Sequence, residues 1–179
     1  MKSLPKILAV VLALYGSGQP ADVRATEEPQ EVSLCEVLGD PAAFNHKLIK
    51  ISGVVSRGFE DFTLNDKACR NSNTVWLELG GTRGSQVMYC CGDNNVDRKR
   101  TTPLVVEGIE TTLVEDEILE RFERLTNRTK SYGKANVVLI GRYFSGKQQT
   151  LPGGTFWMGY GHMGMGSLLV IQQVLSASR

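Results

Sequence analysis

The chain predicts a mainly β fold with a helical insertion, organised as a small closed or partly closed barrel of five or six strands. Three observations carry this. Apolar residues alternate with a period of two in several short segments, the mark of strands that bury one face. A glycine follows four strand-like residues three times, in Ile49-Lys50-Ile51-Ser52-Gly53, Leu104-Val105-Val106-Glu107-Gly108 and Val137-Val138-Leu139-Ile140-Gly141. Glycine inside a strand permits the sharp bends that small barrels need. Finally, residues 115–130 change to a helical period.

The elements follow in order. Residues 1–25 read as a secretory signal peptide: Lys2 and Lys6 precede an unbroken apolar run of nine, Ile7 to Tyr15, and Val23-Arg24-Ala25 offers small residues before a cut after Ala25. The run is too short to span roughly 30 Å of hydrocarbon. Residues 26–32 read as a flexible polar leader, and residues 33–179 as a single barrel domain with an insertion at 80–135. Ser33 and Glu36 have capping-box spacing, and Leu34, Val37 and Leu38 form the stripe of a short helix that Gly39-Asp40-Pro41 ends. Lys47 to Ser56 is a strand with Ile49, Ile51 and Val55 on one face. Phe59 to Leu64 is the next, and Asn65-Asp66-Lys67 is turn chemistry. Val75 to Leu79 places Val75, Leu77 and Leu79 opposite Trp76 and Glu78. Further strands are expected at Gln86 to Cys91, Leu104 to Val114, Val137 to Phe144 and Ser167 to Leu175. The helix near 115–130 carries Ile118, Leu119, Phe122 and Leu125 as its stripe, with acidic residues first and basic residues last, matching its dipole. Leu151 to Gly166 reads as a glycine-rich loop.

This order of short helix, kinked strand, FTLND strand, VWLEL strand, helix, VVLIG strand and final strand resembles the OB-fold, a Greek-key barrel. The segments LCEVLGDPAAFNHKLIKISGVVSRGFEDFTLNDKAC, VWLELGG and GYGHMGMGSLLVIQQV are also similar to a family of uncharacterised exported bacterial proteins. That resemblance covers most of the residues after the signal segment. It implies export and a barrel but transfers no activity.

Bulk properties narrow the function. Loss of residues 1–25 removes three cations and one anion, taking the formal charge from +1 to about −1. A near-neutral chain lacks the electrostatic footprint of a nucleic-acid binder, which argues against the usual OB-fold partner. No second apolar stretch reaches 18 residues, so no membrane span is expected after signal cleavage. All four cysteines follow the predicted cut, which favours disulfides. Neighbours such as Cys90 and Cys91 bridge each other only with strain and face opposite ways on a strand. Pairing each with a distant partner, or leaving one of them free, is easier. Cys35–Cys69 is the expected bridge, and the pairing of Cys90 and Cys91 stays open.

The candidate ligand-binding residues are Trp157, Tyr160 and His162 in the glycine-rich loop, Arg57 and Phe59 at the link between the first two barrel strands, and Trp76 on its outward strand face. Loops at one barrel end commonly carry binding, and aromatic faces suit peptides, glycans or a protein partner of the cell envelope. The competing structural role for the loop aromatics is a lid folded onto the barrel end, and for Trp76 burial beneath the insertion. No catalytic residue, metal or cofactor is expected. Common nucleophile-elbow, phosphate-loop, zinc-protease and Cys-x-x-Cys patterns are absent from the sequence. A zinc site joining His46, His162 and Cys90 or Cys91 would require reduced cysteines, which export disfavours. The sequence thus points to a secreted or periplasmic binding or structural module. The alternative is a small exported enzyme, either a hydrolase using His162 or a thiol-redox protein using Cys90 and Cys91.

Overall fold

The computed structural model describes residues 27–58, 61–69, 73–84, 99–126 and 133–179. A short strand, β1 (Gln30–Val32), leads into helix α1 (Leu34–Gly39). The predicted capping box opens that helix. The Ser33 amide donates to Glu36 Oε2 at 2.8 Å and the Glu36 amide donates to Ser33 Oγ at 3.2 Å, satisfying two orphan N–H groups reciprocally. The same bonds hold the Glu36 carboxyl below the usual carboxylate range. Leu34, Val37 and Leu38 are buried. Asp40 then accepts from the Ala43 amide to start a 3-10 turn over Pro41–Phe44.

The barrel strands are β2 (Leu48–Arg57), β3 (Phe62–Asn65) and β4 (Thr74–Leu79), followed by a small hairpin of β5 (Val105–Val106) and β6 (Ile109–Glu110). Helix α2 (Glu117–Thr126) comes next, and the long strand β7 (Gly133–Phe144) follows it. A ribbon of β8 (Lys147–Leu151) and β9 (Gly154–Met158) then precedes the final strand, β10 (Gly166–Ser178). The sheet order β2-β3-β4-β10-β7 closes because β7 also pairs with β2, antiparallel from Leu48↔Arg142 to Arg57↔Gly133. β4 and β10 run parallel, from Thr74↔Gly166 to Leu79↔Ile171, while the other barrel pairs are antiparallel. This is a closed five-stranded mixed barrel of OB-like form. The register shift between Ile171 and Gln173 falls beside Gly141 on β7, so the expected strand bend takes the form of a bulge there.

Inward-facing residues build the main core: Ile49, Ile51 and Val55 from β2, Phe62 and Leu64 from β3, and Val75, Leu77 and Leu79 from β4. Asp116 Oδ1 accepts from the Ile118 and Leu119 amides at 3.0 and 2.9 Å, capping α2. Leu119 and Phe122 then plug the barrel, with the Phe122 ring centroid 6.4 Å from that of Phe62. Ile118, expected in the same stripe, is exposed.

A disulfide joins Cys35 to Cys69, Cα atoms 5.1 Å apart, and ties α1 to the loop after β3. Cys90, Cys91 and the strand expected at Gln86 to Cys91 lie outside the described residues, as do residues 1–26 and Phe59.

Three expectations need correction. Part of the leader is structured: Gln30–Val32 adds to the sheet as an edge strand parallel to Ile49–Ile51, and the Glu27 carboxylate bonds Arg142 Nη1 at 2.7 Å. The expected strand over Leu104 to Val114 is a hairpin, because Glu107 and Gly108 take φ of 49° and 80° and turn the chain back. The expected loop from Leu151 begins inside the β8–β9 ribbon, paired from Lys147↔Met158 to Leu151↔Gly154.

Candidate functional site

The outward face of the barrel carries a second apolar cluster: Trp76 of β4, Phe144 of β7, Leu168 and Val170 of β10, Tyr160, and Leu104 and Val106 from the hairpin arm. Trp76 is only 5% exposed. A Cβ at Gly161, where φ is +75°, would lie 2.0 Å from its indole, and one at Gly166 would lie 2.6 Å away. Two of the loop glycines therefore exist to let backbone lie against the indole. Strand β4 is buried on both faces, by the barrel core inside and by the hairpin and loop outside. That removes Trp76 from the candidate ligand surface.

Glu107, at the hairpin tip, fastens this cover. Its Oε2 lies 2.6 Å from His46 Nε2, and the Tyr160 hydroxyl donates to its Oε1 at 2.6 Å. Both His46 and Glu107 are non-glycine residues with positive φ, 63° and 49°, a strained conformation that the surroundings must hold. The Tyr160 hydrogen bond, then that of His46 and the charges of His46 and Lys147, hold the Glu107 carboxyl below its ordinary value against the opposing effect of burial. A lowered folded value means the carboxylate stabilises the closed hairpin above the ordinary glutamate range. That contribution disappears as pH falls through the folded value. In Glu107→Gln, hydrogen-exchange protection of the 104–111 amides is expected to be weaker at neutral pH and nearly flat between pH ~6 and ~3. The parent's protection should fall over the lower part of that range, and superimposable profiles would show that the latch contributes nothing.

Arg57 continues the inward face of β2 past Val55, so it enters the barrel end and not the solvent-facing link expected of it. It is 6% exposed, and its guanidinium lies 4.6 Å from the Phe62 ring centroid. Burial pushes its pKa down, while Glu78 and Glu123 oppose that shift. Around it, Arg83 bonds Glu115 at 2.8 Å and Glu123 at 2.9 Å, and Arg100 bonds Glu78 at 3.0 Å. Burial raises the Glu123 carboxyl, opposed by Arg83 and Arg57. An open cleft of about 450 Å³ beside this network is lined by Arg83, Glu120, Glu123 and Arg124. Its cations are spent on its own anions, Arg83 on Glu123 and Arg124 on Glu120 at 3.6 Å.

The ribbon is different. Strand alternation puts Lys147, Gln149, Leu151, Phe156 and Met158 on one face, and Gln148, Thr150, Thr155 and Trp157 on the other. Phe156, Trp157 and Met158 are half-buried and Leu151 is exposed. Among the described residues, neither apolar cluster includes Phe156 or Trp157. A 3-10 turn, His162–Gly164, follows the ribbon with His162 half-buried. The structure thus keeps Trp157 and His162 accessible, and buries Tyr160, Trp76 and Arg57. Tyr160 is packed, but against the outward barrel face and not as a lid on the barrel end, and Trp157 belongs to neither cluster. His46 and Glu107, 61 residues apart, were not brought together by any sequence pattern.

No three His, Cys, Asp or Glu side chains among the described residues group as a metal site. The site and fold define a closed OB-like barrel whose outward face is occupied by its own hairpin and whose aromatic ribbon stands clear of both cores. Comparison with protein-family models, curated proteins and solved structures finds no match.

Proposed function

We propose that the chain is an exported, non-enzymatic binding module that holds a peptide, glycan or envelope-protein partner on the β8–β9 ribbon and the turn after it. The observation that carries this is the ribbon itself: an aromatic and thioether-bearing hairpin outside either core. Folding gains little from Trp157 left half-exposed, whereas binding gains from a rigid aromatic whose surface is still available. Export is supported by the signal-like residues 1–25, by the resemblance to exported bacterial proteins and by the Cys35–Cys69 disulfide, a bond that persists in oxidising compartments. Among the described residues, no helix is long and apolar enough to cross a membrane. The occupied outer face supports the earlier argument against nucleic acid, since an OB-fold ordinarily offers strand surface to its ligand.

In a screen of glycans and envelope proteins, Trp157→Ala is expected to lose most binding while its thermal midpoint stays within about 2 °C of the parent. Binding equal to the parent's across the screen would remove the ribbon as the ligand surface.

A further inference from the structure

The turn after the ribbon concentrates soft donor atoms, two of them on exposed side chains. Met158, Met163 and Met165 are three of the chain's five methionines, and His162, one of its two histidines, lies among them. Backbone bonds gather these residues into one closed turn. The Gly159 amide donates to the Gly164 carbonyl at 2.8 Å, the Gly164 amide to Gly161 at 3.0 Å, and the Met165 amide to His162 at 3.1 Å. Met163 is 76% exposed and Met165 is 43% exposed, and neither belongs to an apolar cluster. Met163 also sits at φ 55°, although Gly161 and Gly164, which take positive φ freely, stand within two residues of it. A bulky apolar side chain is thus kept in a strained, solvent-facing position, and such outliers point towards function.

We infer that Met163, Met165 and His162, with Met158 beside them, bind a soft monovalent cation, Cu(I) or its analogue Ag(I). Thioether sulfur is a neutral, polarisable donor that suits such ions and serves hard or borderline dications poorly. Imidazole suits copper as well, so two sulfurs and one ring nitrogen form a compatible set. Methionine is unbranched and turns about three bonds, so thioethers this close in sequence can adjust their reach to an ion. Compartment chemistry favours the same donors. Where cysteine sulfur is tied up, as in Cys35–Cys69, thioethers remain available because they form no disulfide. The inference rests on reading the ribbon and its turn as the ligand-bearing surface, and assigns the turn its own ligand.

The test uses the full chain with any accessible thiols capped by N-ethylmaleimide, so that cysteine sulfur does not contribute. Equilibrium dialysis against silver nitrate in chloride-free buffer is expected to give one bound ion per chain, with no comparable uptake of zinc. Met163→Leu/Met165→Leu, which keeps apolar volume at exposed positions, should weaken silver binding by roughly tenfold or more without moving the thermal midpoint. His162→Ala should weaken it as well. Silver bound equally tightly by the leucine variant, zinc bound as well as silver, or no silver bound by the parent would each overturn the site. Loss of organic-ligand binding in Trp157→Ala is read separately, so the ribbon reading and the metal site can fail independently.

Discussion

Trp76→Ala is expected to destabilise the chain by roughly 3–5 kcal/mol, the usual cost of truncating a buried aromatic. The indole joins β4 to Phe144, Leu168 and Tyr160 in the outer cluster, and its removal leaves a void beneath the hairpin and the glycine loop. At ~2–4 °C per kcal/mol for a domain of this size, the thermal midpoint should fall by about 10 °C. Gly161→Ala supplies the converse experiment, because its added methyl would stand 2.0 Å from the indole at a φ of +75°. Combining the two should recover part of the loss in a double-mutant cycle, since the void accepts the methyl. A Trp76→Ala chain within about 1 kcal/mol of the parent, by denaturant titration, would show that the outer face is open.

Removing the Cys35–Cys69 bridge is expected to cost about 3–4 kcal/mol in the loop-entropy view, given its 34-residue separation. The bridge binds α1, which contributes Leu34, Val37 and Leu38 to the barrel core, to the loop between β3 and β4. Without it, the six-residue α1 is held chiefly by its apolar stripe, and a helix this short has little stability of its own. Cys35→Ser/Cys69→Ser, followed by urea titration, should shift the midpoint down with little change in native secondary structure. A loss below ~1 kcal/mol would mean that the unfolded chain is not much restricted by the bridge.

The barrel was legible where burial of one face imposes a short-range pattern. The β2 and β4 alternations, the Ser33–Glu36 cap and the Leu119–Phe122 stripe are all written within a few residues of themselves. The 104–114 segment was misread because Gly108 follows four strand-like residues just as Gly53 and Gly141 do. Here the glycine and its neighbour Glu107 both take positive φ and reverse the chain, and the Glu107 side chain bonds His46 and Tyr160. Strand β8 was missed because Lys147-Gln148-Gln149-Thr150 has no apolar alternation, and all of it is exposed. The candidate site was less legible because accessibility is decided by distant chain. Trp76 is covered by Leu104, Val106, Tyr160 and the backbone at Gly161 and Gly166, and Arg57 is buried in the field of Glu78 and Glu123.

The β5–β6 hairpin has a consequence for anything that addresses the outer barrel face. It is a tethered rival for that surface, present at a fixed local concentration that no dilution lowers. A ligand for the face must first displace Leu104 and Val106 from the indole of Trp76 and break the bonds of Glu107. Its apparent dissociation constant is therefore its intrinsic one divided by the fraction of chains in which the hairpin is away. Selectivity on that side of the molecule is set by what the chain already holds against itself.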